Sequence, residues 1–167
     1  MPSFKNIFLG LVATAATAQA EHLRVVWSAG QFSTISGPDG GSSQSGGYDG
    51  FAIIRDDGEA IYTTSYPYGY SPCFNTGGGR TFAIEGDCWD SQFQFHCEAD
   101  FGGNPESCDV RDANGNVLAA GEGQKDTTFI GIAIGIDGSC VAEFESDGGG
   151  CPVDDGNGPL HAQGKEV

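Results

Sequence analysis

Acid–base or nucleophilic chemistry in this chain of 167 residues would have to come from three histidines, six cysteines and 23 acidic side chains. His22, His96 and His161 are the groups that ordinarily titrate near neutrality, as a general base must. His22 stands beside the expected start of the exported chain, His161 lies in its last segment, and His96 falls in an alternating run that points it at solvent. No G-x-S-x-G elbow offers a serine nucleophile, and a cysteine nucleophile needs an unpaired thiol where the even count leaves none. Paired carboxylates could hydrolyse a glycoside, but a pair at roughly 5 to 10 Å arises by chance among so many acids and singles out no residue. No catalytic, cofactor-binding or metal-ligating residue is therefore assigned, no cofactor is expected, and the chain is read as a non-enzyme.

Asp112-Ala113-Asn114-Gly115-Asn116 resembles the opening of an EF-hand loop, yet Val117 stands where the loop needs glycine and Gly123 where it needs glutamate. Its Asx residues are assigned to a hairpin turn instead. Cys73, Cys88, Cys97, Cys108, Cys140 and Cys151 contain no C-x-x-C pair, which argues against zinc. Lys5, the apolar run from Ile7 to Ala16 and the small-x-small site Ala18-Gln19-Ala20 form a secretory leader over residues 1–20. Export is oxidising, so three disulfides are expected. Fifteen pairings are open on count alone; the preferred bridge is Cys97–Cys108, across a turn at Asn104-Pro105, with Cys73–Cys88 and Cys140–Cys151 as local partners.

Tyrosines are the other functional side chains. Tyr66-Pro67-Tyr68-Gly69-Tyr70-Ser71-Pro72 has two prolines and a glycine, so it reads as a loop. Tyr66, Tyr68 and Tyr70 would be exposed there, and they form the expected partner-binding surface. Trp27, Trp89 and Tyr62 could stack on sugar rings or serve the core.

These side chains must be positioned by strands, because 28 glycines separate short apolar or alternating runs and no long helical period occurs. Leu23 to Trp27 opens the domain as a strand, and Gly37 to Gly47 reads as a long Gly/Ser loop. Asp57-Gly58, Asn114-Gly115 and Asp137-Gly138 mark three hairpin tips of the type I′ kind. Thr127 to Ile136 reads as one central strand, its branched side chains on one face and small residues on the other. In Gln92 to Glu98 the alternation turns Phe93, Phe95 and Cys97 inward and Gln94, His96 and Glu98 outward. The predicted fold is an all-β, single-domain antiparallel β-sandwich or barrel-like meander, stapled by disulfides, over residues 21–146. Residues 147–167 are too polar and glycine-rich to bury much area and are expected to be a flexible tail.

Without Lys5, six basic residues face 23 acidic ones, a formal charge of −17. Such a field repels phosphate backbones and anionic lipids, so neither nucleic acid nor membrane insertion is expected. The exported chain is expected to be a soluble monomer, and no N-x-S/T sequon is present.

The leader, the length and the stretches Tyr48-Asp49-Gly50-Phe51-Ala52, Tyr70-Ser71-Pro72-Cys73, Glu85-Gly86-Asp87-Cys88-Trp89-Asp90, Gly103-Asn104-Pro105-Glu106-Ser107-Cys108 and Phe129-Ile130-Gly131-Ile132 resemble the fungal necrosis-inducing secreted protein family. The resemblance implies a secreted effector of plant-associated fungi, able to reach the host cytoplasm, that provokes host cell death. It also implies binding to plant immune receptor-like kinases (co-receptors and associated cytoplasmic kinases), inhibition of those kinases and suppression of pattern-triggered immunity. No catalytic residue carries over. The competing readings are a glycan-binding cell-wall protein and a glycoside hydrolase.

Overall fold

A computed structural model describes residues 20–29, 31–34, 45–47, 50–70, 73, 78–100, 104–124, 128–130, 133–135 and 138–164. Residues 1–19 of the expected leader and most of the expected Gly37–Gly47 loop lie outside this set. The strands are β1 (His22–Ala29), β2 (Gln31–Thr34), β3 (Ser45–Gly47), β4 (Gly50–Arg55), β5 (Ala60–Thr64), β6 (Arg80–Glu85), β7 (Phe93–Ala99), β8 (Pro105–Arg111), β9 (Val117–Gln124), β10 (Thr128–Ile130), β11 (Ala133–Gly135), β12 (Gly138–Glu145) and β13 (His161–Gly164). A 3-10 turn at Pro67–Gly69 is the one helical element among the described residues.

Nine strands pair antiparallel in the order β13-β6-β7-β8-β9-β12-β1-β4-β5. The sheet curls into a half-barrel, and side-chain contacts bridge its two end strands. Tyr62 of β5 hydrogen-bonds the Ala162 backbone of β13, and Asp154 Oδ2 accepts from Thr63 N (2.6 Å) and Thr63 Oγ1 (2.9 Å). Of the two expected forms, the structure is the barrel-like one. Curling gathers the inward side chains of seven strands into one core around Trp27, Phe51, Phe82 and Phe95, each fully buried. Burying each of these rings contributes about 1.5–3 kcal/mol.

The four-stranded sheet β10-β11-β2-β3 extends the same ladders. From His22↔Glu145 through Ala29↔Gly138 to Phe32↔Gly135 and Thr34↔Ala133, every step along one strand is matched by one step along its partner. β3 likewise keeps the register of β4, and β10 that of β9. This overturns the expected hairpin at Asp137-Gly138. Gly138 pairs with Ala29 inside the ladder, and Ile130 pairs antiparallel with Ala133, so the chain reverses within the run read as one strand. The side-chain faces expected for Thr127 to Ile136 lie outside the described residues.

The other two tips are hairpins of a different type. Arg55 N donates to Glu59 O (2.9 Å) around Asp56-Asp57-Gly58, and Asp112 N donates to Asn116 O (2.9 Å) around Ala113-Asn114-Gly115. Only the glycines have positive φ, at 88° for Gly58 and 87° for Gly115. Both are three-residue loops closed by a left-handed glycine, not two-residue type I′ turns. Asp112 Oδ1 accepts from Asn114 N (2.8 Å) and Asn116 N (2.9 Å), as an Asx turn requires. Hydrogen bonds from Asn116, first its side chain and then its backbone, hold the Asp112 carboxyl below its ordinary pKa.

All six cysteines are paired, but as Cys73–Cys97, Cys88–Cys151 and Cys108–Cys140. The expected pairings are corrected throughout. Cys97 and Cys108 do stand opposite each other on β7 and β8. Opposed residues of adjacent strands hold their Cβ atoms about 4.5–5.5 Å apart, wider than the roughly 3.8 Å an unstrained bridge prefers. Cys97 bonds to Cys73 and Cys108 to Cys140 instead. Cys108–Cys140 passes over β9, and its Cα atoms are 6.0 Å apart. Glycine makes that approach possible: a Cβ on Gly121 would overlap the Val141 carbonyl, and one on Gly123 the Pro105 carbonyl.

In β7, Phe93, Phe95 and Cys97 face the core as expected, but Gln94 is buried too, its Nε2 donating to Ala113 O at 3.0 Å. His96 is also largely covered, at 12% side-chain exposure, beside Thr81 Oγ1 at 2.9 Å. Here the Asp112–Asn116 turn covers Gln94, and Thr81, the cross-strand neighbour on β6, flanks His96.

The expected tail is likewise corrected as far as Gly164. Cys151 is bridged to Cys88, Leu160 is buried and β13 pairs with β6 from His161↔Glu85 to Gly164↔Phe82. Asp154 and Asp155 accept from the amides of Gly156 and Asn157 at 2.8 and 2.9 Å. Few apolar residues suffice because a bridge, one leucine and these Asx turns share the ordering. Residues 146–164 thus form a strap across the seam of the barrel.

Candidate functional site

Tyr66, Tyr68 and Tyr70 are 56%, 57% and 58% exposed, the densest run of large exposed side chains among the described residues. Pro67 between them is fully buried and anchors the turn. Tyr66 N donates to Thr64 Oγ1 (3.2 Å), Gly69 N to Tyr66 O (2.9 Å) and Tyr70 N to Pro67 O (3.5 Å). Tyr68 holds φ 55° and ψ 35°, left-handed backbone at a non-glycine residue. That conformation costs about 1–2 kcal/mol and persists where surrounding contacts impose it.

The imposing contacts come from distant parts of the chain. The Tyr68 ring lies against Gly164 of β13, where a Cβ would overlap the ring. The Arg80 guanidinium of β6 sits 4.1 Å from the Tyr70 ring centroid, a cation–π contact. Partial burial lowers the Arg80 pKa from its ordinary value, and Tyr70 opposes that shift. The three expected tyrosines thus stand exposed on one turn, anchored by Pro67, with Gly164 against Tyr68 and Arg80 against Tyr70. Sequence reading missed Arg80 and Gly164, the latter because β13 lay in the segment read as a tail.

Tyr62 is half-buried at the seam below. Desolvation, then the Asp154 charge, pushes its phenol up to about 12, and the hydrogen bond with the Ala162 backbone opposes them. The folded state therefore prefers the neutral phenol. Its contribution is complete below the ordinary value of 10 and is lost as pH rises through about 12. Urea unfolding should accordingly show stability falling between about pH 10 and 12, with a shallower fall in Tyr62→Phe. An equal slope in both proteins contradicts the assignment.

The remaining candidates are dispersed. Trp27 and Trp89 are in the core, so neither offers a sugar platform. His22 Nδ1 lies 2.9 Å from Asp56 Oδ1, and that hydrogen bond is the main cause raising its pKa. A cavity of about 240 Å³ is lined by Glu85, Asp87, Trp89, Asp90, Ser91 and His161. It is smaller than the roughly 300–1,000 Å³ of small-molecule pockets. His161 Nε2 is 3.4 Å from Glu85 Oε1, and the Ser91 hydroxyl donates to Asp147, not to a histidine. Among the described residues no group of three or more His, Cys, Asp or Glu is arranged to hold a metal, and no helix is long and apolar enough to cross a membrane. Three closed disulfides fit an oxidising, extracellular environment.

Comparison with protein-family models, with curated proteins and with solved structures gives no match for the chain. What fold and site define is a class: an all-β, disulfide-stapled, barrel-like domain presenting a tyrosine-bearing turn.

Proposed function

We propose that the chain is a secreted effector that acts by occlusion, docking the Tyr66–Tyr68–Tyr70 face on plant immune receptor-like kinases and their associated cytoplasmic kinases. Kinase inhibition, suppression of pattern-triggered immunity and host necrosis would follow from that docking. The single observation behind this reading is three exposed tyrosines held on a turn whose backbone is forced into a rare conformation. Rigid exposed aromatics are what protein interfaces use as anchors, since they give large contact area for little ordering entropy. The formal charge of −17 on residues 21–167 favours a basic partner surface and speeds encounter with it. The choice of kinases as partners rests on the family resemblance.

The test is capture of leaf kinases on residues 21–167, followed by titration of the captured kinase domain. Changing all three tyrosines to alanine is expected to weaken binding at least about 1,000-fold, as loss of two or more anchors of ~2 kcal/mol each requires. Inhibition should saturate at one equivalent. Full inhibition far below one equivalent would mean turnover and end the occlusion reading, and unchanged affinity in the triple variant would end the assignment of the face.

A further inference from the structure

The three bridges differ in what they hold and in how well they are covered. Cys73, Cys97, Cys108, Cys140 and Cys151 are buried, at 6%, 0%, 2%, 1% and 0% exposure. Cys88, in the turn between β6 and β7, is the one half-cystine that keeps part of its surface in water. Thiol–disulfide exchange begins with a thiolate reaching one sulfur, so access decides which bridge reacts while the protein stays folded.

Cys108–Cys140 ties β8 to β12 and Cys73–Cys97 ties the segment before β6 to β7, whereas Cys88–Cys151 is the bridge that fastens the 146–164 strap. The other fastenings of the strap are mostly polar. Asp147 accepts from Asp90 N at 3.1 Å and from the Ser91 hydroxyl, the Arg55 guanidinium donates to Cys151 O, and Asp154 binds Thr63 on β5. Its buried apolar side chains are Cys151 and Leu160. β13 adds four residues of pairing at an edge of the sheet.

We propose that Cys88–Cys151 is a redox clasp, opened in the folded protein by a low-molecular-weight thiol, and that its opening releases the strap while the other two bridges stay closed. The thiolate attacks Cys88 Sγ, forming a mixed disulfide, and Cys151 leaves as a thiolate that takes a proton. A second thiolate attacks the reagent sulfur of the mixed disulfide and frees Cys88 as a thiol. The bridge gains two electrons and two protons, and two thiols become one disulfide. Release uncovers the β5 edge at Ala60 and Thr63 and the β6 edge at Phe82 to Glu85. It also withdraws Gly164 from the Tyr68 ring, so the tyrosine face is complete only while the clasp is closed. That last consequence rests on the function proposed above; the redox step does not.

A neutral dithiol, dithiothreitol, is the suitable probe, because Asp87 and Asp90 flank Cys88 and repel an anionic thiol. Native protein of residues 21–167 is treated without denaturant, alkylated at intervals and mapped by mass spectrometry, with limited proteolysis run in parallel. Cys88 and Cys151 are expected to label at least tenfold faster than the other four cysteines, with new cleavage confined to residues 147–164 at the same rate. Simultaneous labelling of all six, another pair reacting first, or a strap that stays protected after its bridge has opened each overturns the proposal. The double variant C88A/C151A gives the same readout without reductant: cleavage confined to the strap supports release, and wild-type resistance refutes it. If the variant does not fold, the wild-type kinetics still decide. Kinase binding is measured separately, so closed-form protein that fails to bind would count against the proposed function and leave the clasp standing.

Discussion

Changing Phe51 to alanine is expected to cost about 3–5 kcal/mol of folding stability, a large share of the roughly 5–15 kcal/mol that holds a domain of this size together. Phe51 is fully buried on β4. Its ring meets Trp27, Phe82, Phe95 and Tyr62 edge-on at centroid distances of 5.3, 4.9, 5.2 and 6.1 Å. The penalty has two parts, lost transfer of the ring and a cavity that four aromatic neighbours fixed on different strands cannot close. Urea unfolding should show the midpoint falling by about 2 M with little change in slope, since the slope follows the surface exposed. Tyr62 lies on the outer side of this cluster, so the variant should also bring the Tyr62 phenol back toward its ordinary pKa. A loss below about 1 kcal/mol would mean that the curled sheet does not gather its aromatics into one core.

What could be read from the residues was local. The alternation of Phe93, Phe95 and Cys97 identified the inner face of β7, because a half-buried strand imposes a period of two on its side chains. Glycines 58 and 115 marked real reversals, although the residues before them keep negative φ and the loops are one residue longer. The tyrosine turn was legible for the same reason, since Pro67 and Gly69 break strand pairing where they stand. What escaped was long-range. Cys88 and Cys151 are 63 residues apart, and nothing near either one specifies the other. The polarity of the last segment concealed a strand, because β13 needs little apolar area of its own when Leu160 and a bridge hold it in place. Gly164 under Tyr68 joins parts of the chain that only the curling of the sheet brings together.

The corner where β8, β9 and β12 meet is the weakest-paired part of the wall, and it gives the second large effect. β9 follows β8 from Ser107↔Glu122 to Arg111↔Val117 but, among the described residues, pairs with β12 at Ser139↔Gln124 and Cys140↔Gly123 alone. Two ladder positions are few to hold a barrel wall closed, so the Cys108–Cys140 bridge supplies the continuity that hydrogen bonds do not. The bridge closes a loop of 32 residues, and removing it as C108A/C140A is expected to cost roughly 3–4 kcal/mol in the chain-entropy model. Hydrogen exchange should then quicken at Gly123, Gln124, Ser139 and Cys140 before it quickens in β1 or β4, which are paired along their length. Gly121→Val attacks the same corner from the other side, because its Cβ would have to occupy the place of the Val141 carbonyl. It should open the same amides while the bridge remains intact. If both variants lost protection evenly around the barrel, the corner would be no weaker than the rest, and the bridge would stabilise only by constraining the unfolded chain.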